Sequence, residues 1–584
     1  MRQPTKNYSV TWTRPKEIPL EQATLWLKEA FNLTPEGEHV GDEISKFSHL
    51  ALLLIRELLQ GSKIPVYYGG EVVSIRSDTE DTSKVTIQLA VGNIDLIPEE
   101  YYTKIIHFSF DALLWMMNHT LTPQNKVELY QACLNEIINP IMAQMPTGKS
   151  TTYILKEAYE KNIPFIHLGA GVYQLGWGSK SKKLDRSTTD TDSAIGTKLS
   201  ENKVLTANLL KMGGFPAPIH GLATTKEMAL TLAKELTYPV VIKPVDLNRG
   251  EGVCINITDE TLLYKAFDEA MRLSLSKQVI VEKQVKGVCH RLFMAEGKLL
   301  YAVSRLPISV QGDGIQSVSE LIAQANEEEE KKAPWLRKKP FPNDDLAIES
   351  IAKCGLTLSS LPQKGEWVPL REIESDRWGG RSEDYTTTIH PDNVDIALRA
   401  TELFELNVAG IDIITTDITK AWYETGAIIN EINFAPLLGG GELSRAYLPF
   451  FIDWVMEGYG RIPVEIFIGD DEKTMQTAKD RQKKFIKDGL KCYLTTHEMT
   501  IDAFDQALIL PMKSAASRVK ALFLNTKVDA VILVLQNDEL LHVLAPFDSV
   551  SNVSVVSMSV KDFRDPSHSV SLDDVEKLIA HFSR

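Results

Sequence analysis

Apolar residues fall at alternating positions in several short runs, and two of these runs carry oxygen-bearing side chains. Ala409-Gly-Ile-Asp-Ile-Ile-Thr-Thr and Ala427-Ile-Ile-Asn-Glu-Ile-Asn each alternate like a half-buried strand. In the second, the period of two puts Glu431 and Asn433 on one sheet face. Helical spacing predicts helices over Ser45–Leu59 and Tyr130–Met142, and alternation predicts a strand over Val85–Ala90. Thr224-x-x-Glu227 reads as a capping box opening a helix to about Leu236. Val240–Pro244 and Val279–Lys283 predict short strands, and the charge run Glu327–Lys332 predicts a solvated helix face. After Gly460-Arg-Ile-Pro463 the pattern restarts. A strand over Val464–Ile468, a helix over Lys473–Phe485 and strands over Val528–Leu535 and Val553–Ser557 predict a small Rossmann-like unit. The fold class is α/β.

Composition narrows the field. The chain has 584 residues, enough for three or four domains, and its 43% hydrophobic and 24% charged content is that of a globular protein. No apolar run approaches the ~20 residues that cross a bilayer, and the N-terminus lacks the apolar stretch of a signal peptide. Cys133, Cys254, Cys289, Cys354 and Cys492 are scattered, with no C-x-x-C pair. The expectation is a cytoplasmic protein without disulfides, structural zinc or a membrane partner. A net charge of −15 disfavours nucleic acid as a partner.

Chemistry concentrates in the middle of the chain. Asp412, Glu431 and Asn433 form an oxygen-only set, suited to Mg²⁺ bridging nucleotide phosphates; the plain alternative is solvated acids at strand ends. Lys243 ends a buried strand where a compact cation can meet a phosphate. Asp246-Leu-Asn-Arg-Gly-Glu-Gly-Val follows, in which Asn248, Gly250 and Gly252 suit a backbone cover over phosphates or an ordinary hairpin turn. Lys203 begins a helix upstream, and Glu282-Lys-Gln-Val285 offers backbone groups to an adenine edge. His49 is expected to be a packed or surface histidine rather than a ligand. Met145-Pro-Thr-Gly-Lys-Ser-Thr resembles a phosphate loop, but Ala143 stands where its first glycine belongs, so the segment reads as the start of a helix.

This ordered set resembles the ATP-grasp ligases, and more narrowly the cyanophycin synthetases. Gly171-Val-Tyr-Gln-Leu-Gly, with Lys180, Lys182, Lys183 and Arg186 after it, and Gly287-Val-Cys-His-Arg also carry the resemblance. So do Gln311-Gly-Asp-Gly with Ser317, Ala409-Gly-Ile-Asp and Glu431-Ile-Asn. It spans about 145 to 465, and 1 to 145 more loosely. The resemblance implies ATP and Mg²⁺ as cofactors. Lys203, Lys243, Asn248, Gly250, Gly252, Glu282 and Val285 would hold the nucleotide, and Asp412, Glu431 and Asn433 the metal. Arg291 and Arg305 would face the transferred phosphoryl group and the acyl substrate. Lys180, Arg186, His290, Arg377 and Arg381 are the candidate substrate contacts, the last two in Ser375-Asp-Arg-Trp-Gly-Gly-Arg.

In that family a Mur-ligase-like unit with a second phosphate loop follows. Here the equivalent stretch is Gly469-Asp-Asp-Glu-Lys-Thr, with Glu472 where a glycine lets the backbone approach phosphate. Three carboxylates beside a polyphosphate repel it. Val534 falls where a metal-binding Glu is expected. Three domains are expected: an N-terminal α/β domain (1–160, candidate polymer binding), an ATP-grasp domain (161–463) and a truncated Rossmann-like Mur-ligase-type domain (464–584), structural or dimerising. With one live site the chain resembles the shorter type of cyanophycin synthetase. That type implies a cyanophycin-like polymer or primer and β-Asp-Arg dipeptide as partners, and a homodimer is expected. Pro436-Leu-Leu-Gly-Gly-Gly-Glu departs from the family pattern. A glutathione-synthetase-like ligase and an inactive scaffold are the alternatives.

Overall fold

The computed structural model describes residues 3–582 except 14–17, 36–41, 78–80, 82–83, 146, 248–249 and 375–377. The chain is α/β and divides into two compact units, one formed by residues 1–186 with 452–584, the other by 187–451.

In the first unit, a three-stranded antiparallel sheet orders Thr5–Thr13, Lys84–Gly92 and Glu71–Ser77. Helix Glu43–Gly61 covers the expected Ser45–Leu59, capped by Asp42, and buries Phe47, Leu54 and Leu58. Tyr130–Met142 is helical as expected, but Cys133–Ile138 widens into a π-turn. Gly148 caps helix Lys149–Glu160, so Lys149, Ser150 and Thr151 are its first turn.

The same unit holds a sheet ordered Thr500–Ile501, Cys492–Thr495, Ala530–Leu535, Val464–Ile468 and Asn552–Val555. All but the first strand pair in parallel; Ala530–Leu535, at the centre, is apolar throughout and buried at every position, whereas edge strand Asn552–Val555 is partly exposed. The hairpin Phe165–Gly169/Val172–Leu175 packs with this sheet. Ile166 and Trp177 share a core with Ile462, Val464 and Phe523, and Trp177 stacks on Phe523 with ring centres 4.4 Å apart.

The second unit contains two antiparallel sheets. The smaller orders Cys254–Ile257, Val240–Pro244, Val279–Lys283 and His220–Ala223, with helices Lys226–Leu236 and Glu260–Leu273 against it. The first helix starts one residue later than the capping-box pattern implies. Thr225, not Thr224, caps it through the Met228 N–H, so Glu227 falls too early to complete the box. The larger orders Gly380–Asp384, Lys298–Pro307, Val288–Ala295, Val408–Thr415 and Ile428–Phe434, backed by helix Pro391–Leu403. Residues 308–370 form a side lobe with its own core, including Val310, Leu321, Ile351 and Val368. Its charge run is solvated except at Glu329, which is buried against Lys332 and the Lys338 N–H.

Candidate active site

The two acid-bearing runs are neighbouring strands of the larger sheet. Across it, Arg291 pairs with Asp412 and Asp412 with Glu431, so the three side chains form one transverse row on one face. Asn433 lies two residues beyond Glu431, opposite Gly410. The register shifts between Asp412 and Ile413, leaving Asn430 as an extra residue beside the row.

Asp412 is 2% exposed and is gripped from both sides. Arg291 donates from Nε to Oδ1 and from Nη2 to Oδ2, the latter at 2.7 Å, a bidentate pair. Arg305 Nη1 reaches Oδ2 at 3.4 Å. Burial would raise the Asp412 carboxyl, but the two guanidiniums outweigh it and hold it below its ordinary value. Burial likewise opposes the charge on Arg291, yet Asp412 keeps it firmly protonated. Arg305 also meets Glu374 at 2.5 Å, and burial lifts the Glu374 carboxyl above its ordinary value.

Lys203 opens helix Lys203–Met212, with Asn202 capping it. Its Nζ donates to the Leu247 carbonyl at 2.8 Å and stands 3.8 Å from Glu431. Burial lowers the Lys203 ammonium; Glu431 opposes that and nearby Lys243 adds to it. Lys243 pairs with Glu282 at 2.7 Å, their side chains 12% and 8% exposed. The Lys283 and Gln284 amides donate to Ile219 and Pro239 carbonyls, whereas among the described residues the Val285 amide finds no partner. Gly250 and Gly252 both adopt positive φ, and a Cβ on Gly252 would meet Pro244 at 2.8 Å. Lys203 thus borders the acid row directly, with Lys243 near enough to disfavour its charge.

The other predicted residues do not join this row. His290 alternates to the opposite sheet face, where its ring packs edge-on against Tyr385 at 5.3 Å. Arg381 pairs with Glu383 and lies over the Trp367 ring. Lys180, paired with Glu457, and Arg186 belong to the other unit. Asn248 and Arg377 lie outside the described residues. Sequence reasoning missed Glu374 and Gly410. Glu374 is one acid among three in Glu372-Ile-Glu-Ser-Asp, with nothing to single it out. Gly410 carries no chemistry, but its missing side chain makes room for Arg291.

The residues fit a hard divalent cation. Asp412, Glu431 and Asn433 offer only oxygen ligands from one face, and a carboxylate with about four lone-pair sites can serve both Arg291 and a metal. Among the described residues no group of three acids, histidines or cysteines converges, so the cation would rely on Asn433, water and phosphate for its remaining ligands.

Residues 203–291 match the family model for the carbamoyl-phosphate synthase L chain, ATP-binding domain. A cyanophycin synthetase of Nostoc sp. is 33% identical over 343 residues, 56% of this chain and 38% of that protein. A glutathione biosynthesis bifunctional protein of Mannheimia succiniciproducens is 32% identical over 312 residues, 50% of this chain and 39% of that protein. In structure, a bifunctional glutathione synthetase from Pasteurella multocida, 20% identical, matches 69% of each chain with a TM-score of 0.41. The two-sheet unit with its lysines, glycine turn and acid row belongs to the ATP-grasp ligase class. Within that class, over its matched region, the chain is similar to the cyanophycin synthetases. It spans about two-fifths of the length of the curated relatives it matches.

Proposed function

We propose that this protein is an ADP-forming ligase that activates the C-terminal carboxylate of a cyanophycin chain and adds β-Asp-Arg dipeptides to it. The row Arg291–Asp412–Glu431, with Lys203 at its end, carries this reading. Lys203 and Lys243 would hold the ATP phosphates and the Gly250–Gly252 turn would cover them. Asp412, Glu431 and Asn433 would hold Mg²⁺, which when bound offsets negative charge on the phosphate oxygens. Arg291 and Arg305, fixed by Asp412, would bind the oxygens that gain charge as the substrate carboxylate attacks the γ-phosphorus and ADP leaves. The dipeptide amine then attacks the acyl phosphate carbonyl, the C–N bond forms, and phosphate departs with its oxygen.

Residues 1–160 would engage polymer, 161–463 would perform the chemistry, and 464–584 would be a structural, dimerising part in a cytoplasmic homodimer. In the last part Asp471 caps helix Glu472–Lys487, its Oδ1 accepting from the Thr474 N–H and hydroxyl where a phosphate loop would hold its anion.

The second reading, a glutathione-synthetase-like ligase, is favoured by the Mannheimia relative's 32% identity. Incubating the protein with ATP, Mg²⁺ and short primer, plus either β-Asp-Arg or free Asp and Arg, separates the readings. Phosphate release with products of many lengths on dipeptide alone is expected. Growth on the free amino acids, a single short product, or silence with every substrate rejects the proposal.

A further inference from the structure

The acid row does not stop at Arg291. Arg291 pairs with Val303, and Val303 with Asp384 on the edge strand Gly380–Asp384, so Asp384 lies on the same sheet face. Two strand spacings put its Cα about 10 Å from that of Arg291. Ser382, two residues earlier on this face, pairs with Arg305. Arg381 and Glu383 alternate to the far face, where they pair with each other.

Asp384 differs from the other acids of this face. Asp412 meets Arg291 and Arg305, Glu374 meets Arg305, and Glu431 stands beside Lys203. Among the described residues Asp384 has no cation partner. Its Oδ1 accepts the Thr386 N–H at 2.8 Å and the Thr386 hydroxyl at 2.5 Å. Its Oδ2 accepts the hydroxyl of Tyr447, from far along the chain, at 3.2 Å. A local turn explains the Thr386 bonds but not the tyrosine that orients the second oxygen. The side chain is exposed, and a carboxylate offers about four lone-pair sites, so it can take a further N–H donor.

A ligase needs a place for the amine that attacks the acyl phosphate. Arg291, Arg305 and Lys203 repel an ammonium, whereas an acid with an unclaimed charge attracts it. We propose that Asp384 binds the ammonium of the incoming amino substrate and holds its nitrogen toward the carboxylate activated beside Arg291 and Arg305. This rests on the ligase reading. The contact is a charge-assisted hydrogen bond, and no covalent bond forms or breaks at Asp384.

The test is steady-state kinetics with ATP, Mg²⁺, primer and either β-Asp-Arg or β-Asp-citrulline, whose side chain is uncharged. Asp384→Asn keeps the turn acceptor and loses the charge. The KM for both dipeptides is expected to rise about tenfold or more, the loss of one charged contact, with the KM for ATP little changed. Tyr447→Phe is expected to raise the same KM about threefold. Hydroxylamine in place of dipeptide traps the acyl phosphate as a hydroxamate, and Asp384→Asn is expected to keep that activity. An unchanged dipeptide KM overturns the assignment. So does a rise confined to β-Asp-Arg, which would put the guanidinium at Asp384, or an equal loss with hydroxylamine, which would mark a general defect. No hydroxamate from the wild type rejects the ligase reading itself, and the assignment with it.

Discussion

A Cβ on Gly410 would lie 2.9 Å from Cδ of Arg291, so the arginine that grips Asp412 occupies the space a side chain would take. Gly410→Ala must therefore tilt Arg291 or push the strands apart. Overpacking of this kind costs about 1–3 kcal/mol. Displacing a positioned group by ~1 Å costs up to ~100-fold in rate. The expected result is a kcat loss far larger than the fall in melting temperature implies, measured by phosphate release and thermal unfolding. A variant with wild-type kcat would mean that the Arg291–Asp412 geometry is not used in turnover.

Asp412→Asn removes the counter-charge from a buried arginine, at a cost of about 3–5 kcal/mol near neutral pH. The Asp412 carboxyl is held below its ordinary value against burial, by Arg291 and Arg305. Its contribution is therefore whole above the unfolded value of about 3.9 and is lost as the pH falls through the lower folded value. Hydrogen exchange of strand Val408–Thr415 should show a wide gap between wild type and variant at neutral pH, closing only in acid.

Glu374 touches Arg305, not the acid row, and so acts by position. Glu374→Gln keeps the shape and loses the charge. Arg305 is then free to swing fully onto Asp412, and kcat should fall about tenfold with the KM for ATP little changed. Burial lifts the Glu374 carboxyl, so wild-type activity should decline on the acid side at a pH above the ordinary glutamate value. The substitution should remove that limb from the pH profile. An unaltered profile would assign Glu374 to packing alone.

Lys203→Met and Lys473→Ala form a contrasting pair. Lys203 stands beside Glu431, whereas Lys473 follows a loop closed by its own Asp471. The first should raise the KM for ATP by about tenfold or more, the loss of one charge-assisted phosphate contact. The second should leave turnover nearly intact. Steady-state kinetics with varied ATP read both, and a severe loss in Lys473→Ala would restore the second loop to the reaction.

Much of this architecture was legible before any coordinates. The strands at 409–416 and 427–433 follow from alternation, and Glu431-Ile-Asn433 shares a face for that reason alone. The partner of Asp412 did not follow. Its bidentate pair with Arg291 depends on register between strands over a hundred residues apart, which no local pattern encodes. His290 was misleading for the opposite reason, since proximity in sequence to Arg291 is what sends it to the other face. Gly410 left no trace because its contribution is an absent atom. The Thr224 capping pattern slipped by one because Thr225, also a good cap, competes with it.

Trp177 lies flat on Phe523, and Gln174 donates to the Phe523 carbonyl at 2.8 Å, although some 350 residues of chain separate them. A ribosome making this protein releases Trp177 long before its partner exists, so that aromatic surface stays bare while residues 187–451 are synthesised. Cutting the gene after codon 463 would leave it bare for good. Whatever chemistry the phosphate loop beyond that point performs, the polypeptide that carries it covers apolar surface on residues translated far earlier.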